Sequence, residues 1–255
     1  MTEIIVPPFA YVGSKRNLIP FILKNLPKQW NNGKLIDPFL GSGVTLLNIP
    51  FHKAIVADTE KGIIEFYKFL IYSTSAEFED FEKCLLYTFN KDSKQWFDCV
   101  KTHLYKHQFH KYEFIALYVY MRRLSFMGKC LYNQNTCECI TSYREDNGTT
   151  NFKALWHKIT NIRLLLQKMK NKISISSNDC FTTLKKAQAG DFIFLDPPYF
   201  DILNKKVKQY SDEFTKEDQL KFIDTINKLD QMGCYIMMFN NYHKKITSML
   251  PNFRV

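Results

Sequence analysis

The residues best suited to chemistry are Asp196, Pro197, Pro198 and Tyr199, which directly follow the apolar run 192–195. Such a run is typical of a buried strand, and the carboxyl end of a strand is where open α/β sheets bind ligands. The two prolines keep the backbone extended and leave carbonyl groups without a neighbouring N–H donor. An acid, a free carbonyl and an aromatic ring can bind a flat heterocyclic amine, although the same tetrapeptide also occurs as a simple strand-ending turn.

A second segment suited to ligand binding runs from Asp37 through Phe39 and Gly41 to Gly43. It predicts a short strand, a glycine turn and the start of a helix, where backbone N–H groups can approach a ligand closely. The dinucleotide fingerprint is not met, because Leu46 stands where its third glycine would be. Asp37 would repel a pyrophosphate but attract an ammonium group, so the pattern favours an amino-acid-like ligand.

Other charged side chains stand at the ends of predicted elements. Lys15 follows Ser14, a predicted helix N-cap, and a cation is unusual beside the positive end of a helix. It is either a solvated lysine or one placed to meet an anion. Asp58 closes the next predicted strand, where an acid can hydrogen-bond a ribose, and Asp179 follows the alternating strand over 172–176.

The region 60–152 has a different pattern, with apolar residues at helical spacing and few strand signals. We therefore expect a helical insertion within an α/β core. Its aromatic-rich helix over 112–127 carries Arg122 and Arg123, and the polar stretch 128–151 follows. Amides, cations and aromatic rings in that stretch can contact bases or stack on them, although an ordinary polar loop would have the same composition. The candidate residues in this stretch include Lys129, Tyr132 and Asn133.

Composition limits the class of protein. The 255 residues are 45% hydrophobic and carry a formal net charge of +10, which indicates a packed globule and is compatible with a polyanionic partner. The 7 irregularly spaced cysteines are typical of reduced thiols in a cytoplasmic protein. No fourth ligand accompanies Cys130, Cys137 and Cys139, so we expect no metal. The longest apolar run, 114–121, is too short for a membrane span.

Together these segments resemble the Dam-type DNA adenine-N6 methyltransferases (D12 class, alpha group) over essentially the whole chain. Segment 10–15 resembles the N-terminal cofactor motif of that family, and 37–43 resembles its main S-adenosyl-L-methionine loop. The stretch 120–133 resembles the recognition segment, and 196–199 resembles the catalytic signature. Tyr210 matches an aromatic residue after that signature.

The resemblance implies a Rossmann-like, S-adenosylmethionine-dependent methyltransferase core of the α/β class with a helical target-recognition insertion. The catalytic domain would comprise 1–59 and 153–255, and the recognition domain 60–152. The implied reaction is site-specific methylation of N6 of a flipped adenine in double-stranded DNA. A cognate restriction endonuclease is a further partner that the family suggests, and no membrane partner is expected.

The resemblance also implies roles for single residues. Asp196 and the carbonyl of Pro197 would accept hydrogen bonds from adenine N6, Pro198 completes the signature, and Tyr199 would stack on the flipped base. The implied cofactor contacts are Tyr11, Lys15, Asp37, Phe39, Gly41, Gly43, Asp58, Asp179 and Asp196. The implied DNA contacts are Arg122, Arg123, Lys129, Tyr132, Asn133 and Tyr210.

The chain departs from the family pattern at a few positions. Leu131 stands where the family often has a guanine-reading arginine, so we do not expect a GATC target. Arg122 stands where the family tends to have asparagine, and family members usually continue beyond Val255 with a further pair of strands. Two alternatives stay open: methylation of cytosine N4, because the same hydrogen-bond geometry fits that amine, and a DNA-binding protein that keeps the fold without turnover, which these departures motivate.

Overall fold

The computed structural model describes residues 3–28, 30–133, 136–144, 151–198, 215–241 and 244–254. The chain divides into two compact units. The first comprises Met1–Ile19, Gly41–Asn48 and Glu60–Asn171, and the second comprises Pro20–Leu40, Ile49–Thr59 and Lys172–Val255. Tyr199 and Tyr210 lie outside the described residues, so their predicted roles stay predictions, as does the assignment of a catalytic and a recognition domain.

Short strands alternate with helices along most of the chain. In chain order the strands are β1 (Leu35–Asp37), β2 (Ala54–Ala57), β3 (Leu131–Asn133), β4 (Glu138–Ile140), β5 (Ile173–Ser176), β6 (Phe192–Leu195) and β7 (Tyr235–Met238). The helices are α1 (Ile19–Lys24), α2 (Val44–Asn48), α3 (Lys61–Tyr72), α4 (Ser75–Asn90), α5 (Lys94–His103), α6 (Lys111–Leu124), α7 (Phe152–Lys168), α8 (Cys180–Leu184), α9 (Lys216–Gln231) and α10 (Lys244–Ser248).

The second unit is built on a five-stranded sheet with the order β5-β2-β1-β6-β7. Every neighbouring pair in it is parallel, and Leu35 of β1 lies opposite Ala54 of β2 and Phe192 of β6. Parallel sheets need cover on both faces, which explains why β6 is a continuous apolar run with every residue buried. The predicted α/β class is confirmed.

Helices of the same unit cover one face of this sheet. Ile36, Ile193 and Leu195 share a buried cluster with residues from α8, α9, α10 and the turn after α10, which are Cys180, Leu184, Phe222, Ile223, Ile226, Leu229, Ile246 and Leu250. Side chains alternate across a strand, so Phe192 and Phe194 point to the opposite face, where their rings lie 5.3 and 5.5 Å from those of Trp30 and Phe239. Apolar side chains therefore pack against β6 on both of its faces.

The first unit contains helices α3 to α7 and the two-stranded antiparallel sheet β3-β4. Aromatic side chains fill its core; for example, Phe78 of α4 stacks on Trp156 of α7 at 4.6 Å. The helices agree with the predicted helical region, but the hairpin β3-β4 does not follow from the sequence pattern. Its strands have three residues each, too few for an alternating apolar pattern to be recognised.

The starts of α9 and of the first 3₁₀ turn are capped differently. At α9 the Thr215 hydroxyl accepts a bond from the backbone N–H of Asp218, whose carboxylate accepts one from the Thr215 backbone N–H. These two reciprocal bonds form a capping box at the start of the helix. The prediction of Ser14 as an N-cap is wrong: Lys15 precedes the 3₁₀ turn Arg16–Leu18, and the Ser14 hydroxyl instead lies 3.1 Å from that of Ser42.

Asp191 ties the start of β6 to the start of β1. The carboxylate is buried and accepts hydrogen bonds from the backbone N–H groups of Lys34 at 2.8 Å and Gln188 at 2.9 Å. The Lys34 ammonium group lies 3.1 Å from it. The two backbone segments approach closely here, since a Cβ at Gly33 would lie 2.0 Å from the Gly190 carbonyl oxygen.

We expect Asp191→Ala to lower the free energy of unfolding by about 2–4 kcal/mol, because it leaves buried backbone donors and a lysine without their acceptor. Urea unfolding followed by circular dichroism measures the change. Asp224→Ala is the matched control: that acid forms an exposed i,i+4 pair with Lys228, and such pairs contribute little. Equal losses in the two variants would contradict the assigned role of Asp191.

Candidate functional site

Acidic side chains follow neighbouring strands at one edge of the five-stranded sheet. Asp37 ends β1, Asp58 follows β2, and Asp196 follows β6. Because these strands are parallel, their carboxyl ends meet at the same edge. The chain leaves β1 toward β2 on one side and later returns to β6 on the other, so the strand order reverses between β1 and β6. Open α/β sheets bind their ligands at such a switch point.

Asp37 is fully buried, and its Oδ1 atom accepts a hydrogen bond from the backbone N–H of Phe39 at 3.0 Å. This bond fixes the direction of the carboxylate at the sheet edge. Asp196 is partly exposed, Pro197 is buried and Pro198 is partly exposed. Asp58 is partly exposed as well, so the edge offers one oriented internal carboxylate and two that a ligand can approach.

Asp179 is the N-cap of α8. Its carboxylate accepts bonds from the backbone N–H of Thr182 at 2.9 Å and from the Thr182 hydroxyl at 2.6 Å. Partial burial acts to raise the pKa of Asp179, but these hydrogen bonds outweigh it and the pKa is lowered. Asp179 is therefore ionised near neutral pH, and local contacts already use part of its hydrogen-bonding capacity.

In the first unit, the segment 11–15 contacts the glycine turn 41–43. The side chain of Lys15 is buried and its ammonium group donates to the Gly13 carbonyl at 2.8 Å. A Cβ on Gly41 would lie 3.1 Å from the ring of Tyr11. The structure thus places Tyr11, from the segment that also holds Lys15, against Gly41, which the sequence assigned to a separate motif.

Gly43 has no room for a side chain. Its φ is +76°, and an added Cβ would lie 2.2 Å from the hydroxyl oxygen of Tyr67. That hydroxyl donates to the carbonyl of Ser42 at 2.5 Å. Burial raises the pKa of Tyr67, so the phenol stays protonated and keeps donating. Tyr67 was not singled out from the sequence, because it reads as one more apolar residue of a helix.

Arg122 was predicted to contact DNA, but its side chain is only 4% exposed. Its guanidinium donates to the hydroxyl of Tyr118 and the carbonyl of Gly128, and it forms an ion pair with Glu60. Burial acts to lower the pKa of Arg122, but the Glu60 carboxylate outweighs it and raises the pKa. With its donors turned inward, Arg122 is an internal residue, and the predicted DNA contact is not supported.

Arg123, one residue later, has the opposite environment. Burial and the charge of Arg144 lower its pKa, and its Nε has no hydrogen-bond partner among the described residues. Burial and the charges of Arg123 and Arg16 likewise lower the pKa of Lys158. Arg144 is held beside the end of α6 by a backbone bond to Leu124. Cations that disfavour one another in this way are suited to an anionic ligand. We call Arg16, Arg123, Arg144 and Lys158 the cation cluster.

Beside the hairpin is a cleft of about 490 Å³. Lys129 and Asn133 line it, as do the exposed apolar side chains of Phe126 and Ile140. Phe126 was missed because the helix was predicted over 112–127, whereas α6 ends at Leu124. The predicted positions Lys129 and Asn133 thus face a common cleft. The side chain of Tyr132 is not among those described, so its role stays a prediction.

No metal site or membrane segment is found in the described parts of the chain. Among these residues, no group of three or more His, Cys, Asp or Glu side chains is arranged to hold a metal ion. Cys130 and Cys139 are buried with sulfur atoms 3.3 Å apart. Within the same ranges, no helix is long and apolar enough to cross a membrane.

We expect Gly43→Ala to cost more stability than Gly190→Ala. Both glycines have positive φ, which costs an alanine about 1 kcal/mol, but a Cβ at Gly190 would have no atom within 4 Å. At Gly43 the Cβ must displace Tyr67, which adds about 1–3 kcal/mol. Thermal and urea unfolding of the two variants measure the difference. Equal losses would show that only backbone conformation requires glycine at position 43.

Comparison with known proteins identifies the family. The family model described as D12 class N6 adenine-specific DNA methyltransferase matches residues 11–255. The type II methyltransferase M1.LlaDCHI of Lactococcus lactis subsp. cremoris is 26% identical, over 99% of this chain and 87% of its own. The DNA adenine methylase of Vibrio cholerae serotype O1 is 23% identical, over 91% of this chain and 79% of its own. The retron Ec67 DNA adenine methylase of Escherichia coli is 22% identical, over 95% and 80%.

These matches confirm the predicted family and enzyme class, and they favour adenine N6 over cytosine N4 and over a protein without turnover. The assignment to this family therefore rests on nearly the whole chain and not on one motif. The chain belongs to the D12 class of N6 adenine-specific DNA methyltransferases.

Proposed function

We propose that this methyltransferase uses S-adenosylmethionine as its methyl donor and acts on adenine in double-stranded DNA. The observation that carries the proposal is the set of carboxylates at the carboxyl edge of β1, β2 and β6, with the glycine turn continuing from β1. This donor set fits an amino acid joined to a nucleoside: carboxylates suit an ammonium group and ribose hydroxyls, and a lysine suits a carboxylate.

In this proposal Lys15 binds the carboxylate of the methionyl group and Asp37 its ammonium group. The buried position of Asp37, oriented by the Phe39 backbone, supports a role in which a fixed negative charge meets a cation. Asp58 holds the ribose hydroxyls. Asp179 is the weaker candidate, because Thr182 already occupies its carboxylate.

Adenine N6 is a poor nucleophile because its lone pair is delocalised into the ring. Asp196 and the Pro197 carbonyl accept hydrogen bonds from its two N–H groups, which draws the nitrogen toward tetrahedral geometry. When bound, S-adenosylmethionine would supply the methyl group from its sulfonium and leave as the thioether S-adenosylhomocysteine, while N6 gives up one proton to solvent. The protein contributes position and electrostatics, and Tyr199 stacks on the flipped base.

DNA binding in this proposal uses the cation cluster for phosphates and the hairpin cleft for bases. Phosphate contacts position the duplex, whereas side chains such as Lys129 and Asn133 can reach base edges. The type II names of relatives motivate a further proposal, a cognate restriction endonuclease that recognises the same site. DNA methylated by this protein would then resist that nuclease.

We expect Asp196→Ala to reduce methyl transfer by at least about 100-fold, because one oriented group at the reacting nitrogen is lost. Purified protein, labelled S-adenosylmethionine and unmethylated plasmid DNA are incubated, and nucleoside digestion identifies the product. Binding of S-adenosylhomocysteine should weaken far less, and Asp224→Ala should keep full activity.

Single-molecule sequencing of the same product maps the methylated site. The wild type should yield N6-methyladenine at one sequence context. N4-methylcytosine as the product, or normal turnover by Asp196→Ala, would refute the assignment.

We expect Lys158→Ala to weaken DNA binding uniformly across sequences and to reduce the slope of log affinity against log salt by about 0.9, the value for one phosphate contact. Fluorescence anisotropy over a salt titration measures both. Lys83→Ala is the control, because Lys83 is exposed on α4 and paired with Asp80. Identical slopes in wild type and Lys158→Ala would place the phosphate surface elsewhere.

A further inference from the structure

Arg122 joins segments that lie far apart in sequence. Its Nε donates to the Tyr118 hydroxyl at 2.9 Å, one terminal nitrogen donates to the Gly128 carbonyl at 2.5 Å, and the other pairs with Glu60. Tyr118 also donates to Glu60, at 2.5 Å. A planar guanidinium with donors in a fixed fork can hold three acceptors at once, which an ammonium group cannot do in the same geometry.

The same group contacts the predicted cofactor motif. The Cζ atom of Arg122 lies 4.9 Å from the centre of the Tyr11 ring, and the Tyr11 hydroxyl donates to Glu60 at 3.4 Å. The same ring lies against Gly41, where an added Cβ would lie 3.1 Å from it. A continuous set of contacts therefore runs from the glycine turn through Tyr11 to Arg122.

On its other side Arg122 holds the turn that leads into the hairpin. Met127 and Gly128 both have positive φ, +54° and +67°, and the first is strained because it has a side chain. Arg122 binds the Gly128 carbonyl, and a Cβ on Gly128 would lie 2.1 Å from the Ala10 carbonyl oxygen. The turn before β3 is thus held in a strained form by Arg122 and the cofactor motif together.

Stability alone does not explain this arrangement. A buried ion pair gains little over apolar residues of similar volume, because desolvation offsets its attraction. A guanidinium that joins two segments has a use if each segment contacts a different ligand. Anything that orders Tyr11 also orders Glu60 and Arg122, and through them the backbone at Gly128.

We propose that Arg122 and Glu60 are positioning residues that couple cofactor binding to DNA binding, by linking Tyr11 to the strained turn before the hairpin. The inference rests on the proposed function, since it takes Tyr11 to contact the cofactor and the hairpin to contact DNA. Coupling of this kind is reciprocal: each ligand tightens the other by the same factor.

The test measures the dissociation constant of S-adenosylhomocysteine, by calorimetry, with and without a saturating short duplex that carries the mapped methylation site. In the wild type the duplex should tighten this binding by roughly 5- to 150-fold, the usual range of coupling between two sites. In the double variant Arg122→Met/Glu60→Gln, which removes both buried charges together, the ratio should fall close to unity. An unchanged ratio in that variant overturns the proposal.

Arg163→Met is the matched control. Arg163 is also buried in the first unit, donates to the Ser73 carbonyl at 3.0 Å and lies 4.3 Å from the Phe78 ring. Its hydrogen bonds join α7 to the turn before α4. Its loss should lower the melting temperature and leave the coupling ratio at the wild-type value. Loss of the ratio in both variants means general destabilisation and overturns the proposal.

If the double variant does not fold, Arg122→Lys tests the coupling proposal instead. Lysine keeps the charge for Glu60 but lacks the fork, so the ratio should be reduced only in part; a wild-type ratio overturns the proposal. The wild type also separates this inference from the proposed function. A wild type that methylates adenine but shows no coupling refutes only the coupling, whereas one that neither binds S-adenosylhomocysteine nor methylates refutes the proposed function.

Discussion

In a parallel sheet all strands run in one direction, so every strand delivers its following residue to the same edge. The helices of the second unit cover one face of β1 and β6, and aromatic rings contact the other face of β6, which leaves the carboxyl edge as the place where polar side chains meet. Asp37, Asp58 and Asp196 come from parts of the sequence far apart, and parallel pairing alone brings them to one edge. The proposed chemistry depends on this constraint.

The second requirement is that another residue can pack closely against the backbone of the turn. A glycine meets it, because the neighbouring residue fills the space that a side chain would take. At the turn after β1 the hydroxyl of Tyr67 occupies the position that a side chain on Gly43 would need, and it binds the Ser42 carbonyl. The turn is therefore held by a phenol from α3 and not by its own sequence. A glycine-rich motif read from sequence says that the backbone can bend, but the tertiary partner determines the bend it adopts.

Much of the sheet could be predicted because its signals are local. The run before Asp196 and the runs ending at Asp37 and Asp58 are short, apolar and followed by a carboxylate, and all three are strands with the expected ends. The hairpin could not be predicted, because its short strands lie in a polar stretch and lack the continuous apolar residues that mark the strands of the sheet. Phe126 was assigned to the preceding helix, since nothing in its neighbourhood marks the helix end at Leu124. The turn Phe126–Gly128 and the exposed ring of Phe126 depend on contacts with residues that lie far away in the sequence.

The neighbouring arginines of α6 show where local reasoning fails for charge. Successive helical residues point about 100° apart, so Arg122 and Arg123 face different surroundings although their sequence context is almost the same. Glu60 neutralises the first in the interior, whereas the second lies among other cations that lower its pKa. Sequence assigns both to DNA because it shows the charges but not their partners. We propose different roles for the two: Arg122 links segments of the protein, and Arg123 has a charge that a DNA phosphate would stabilise.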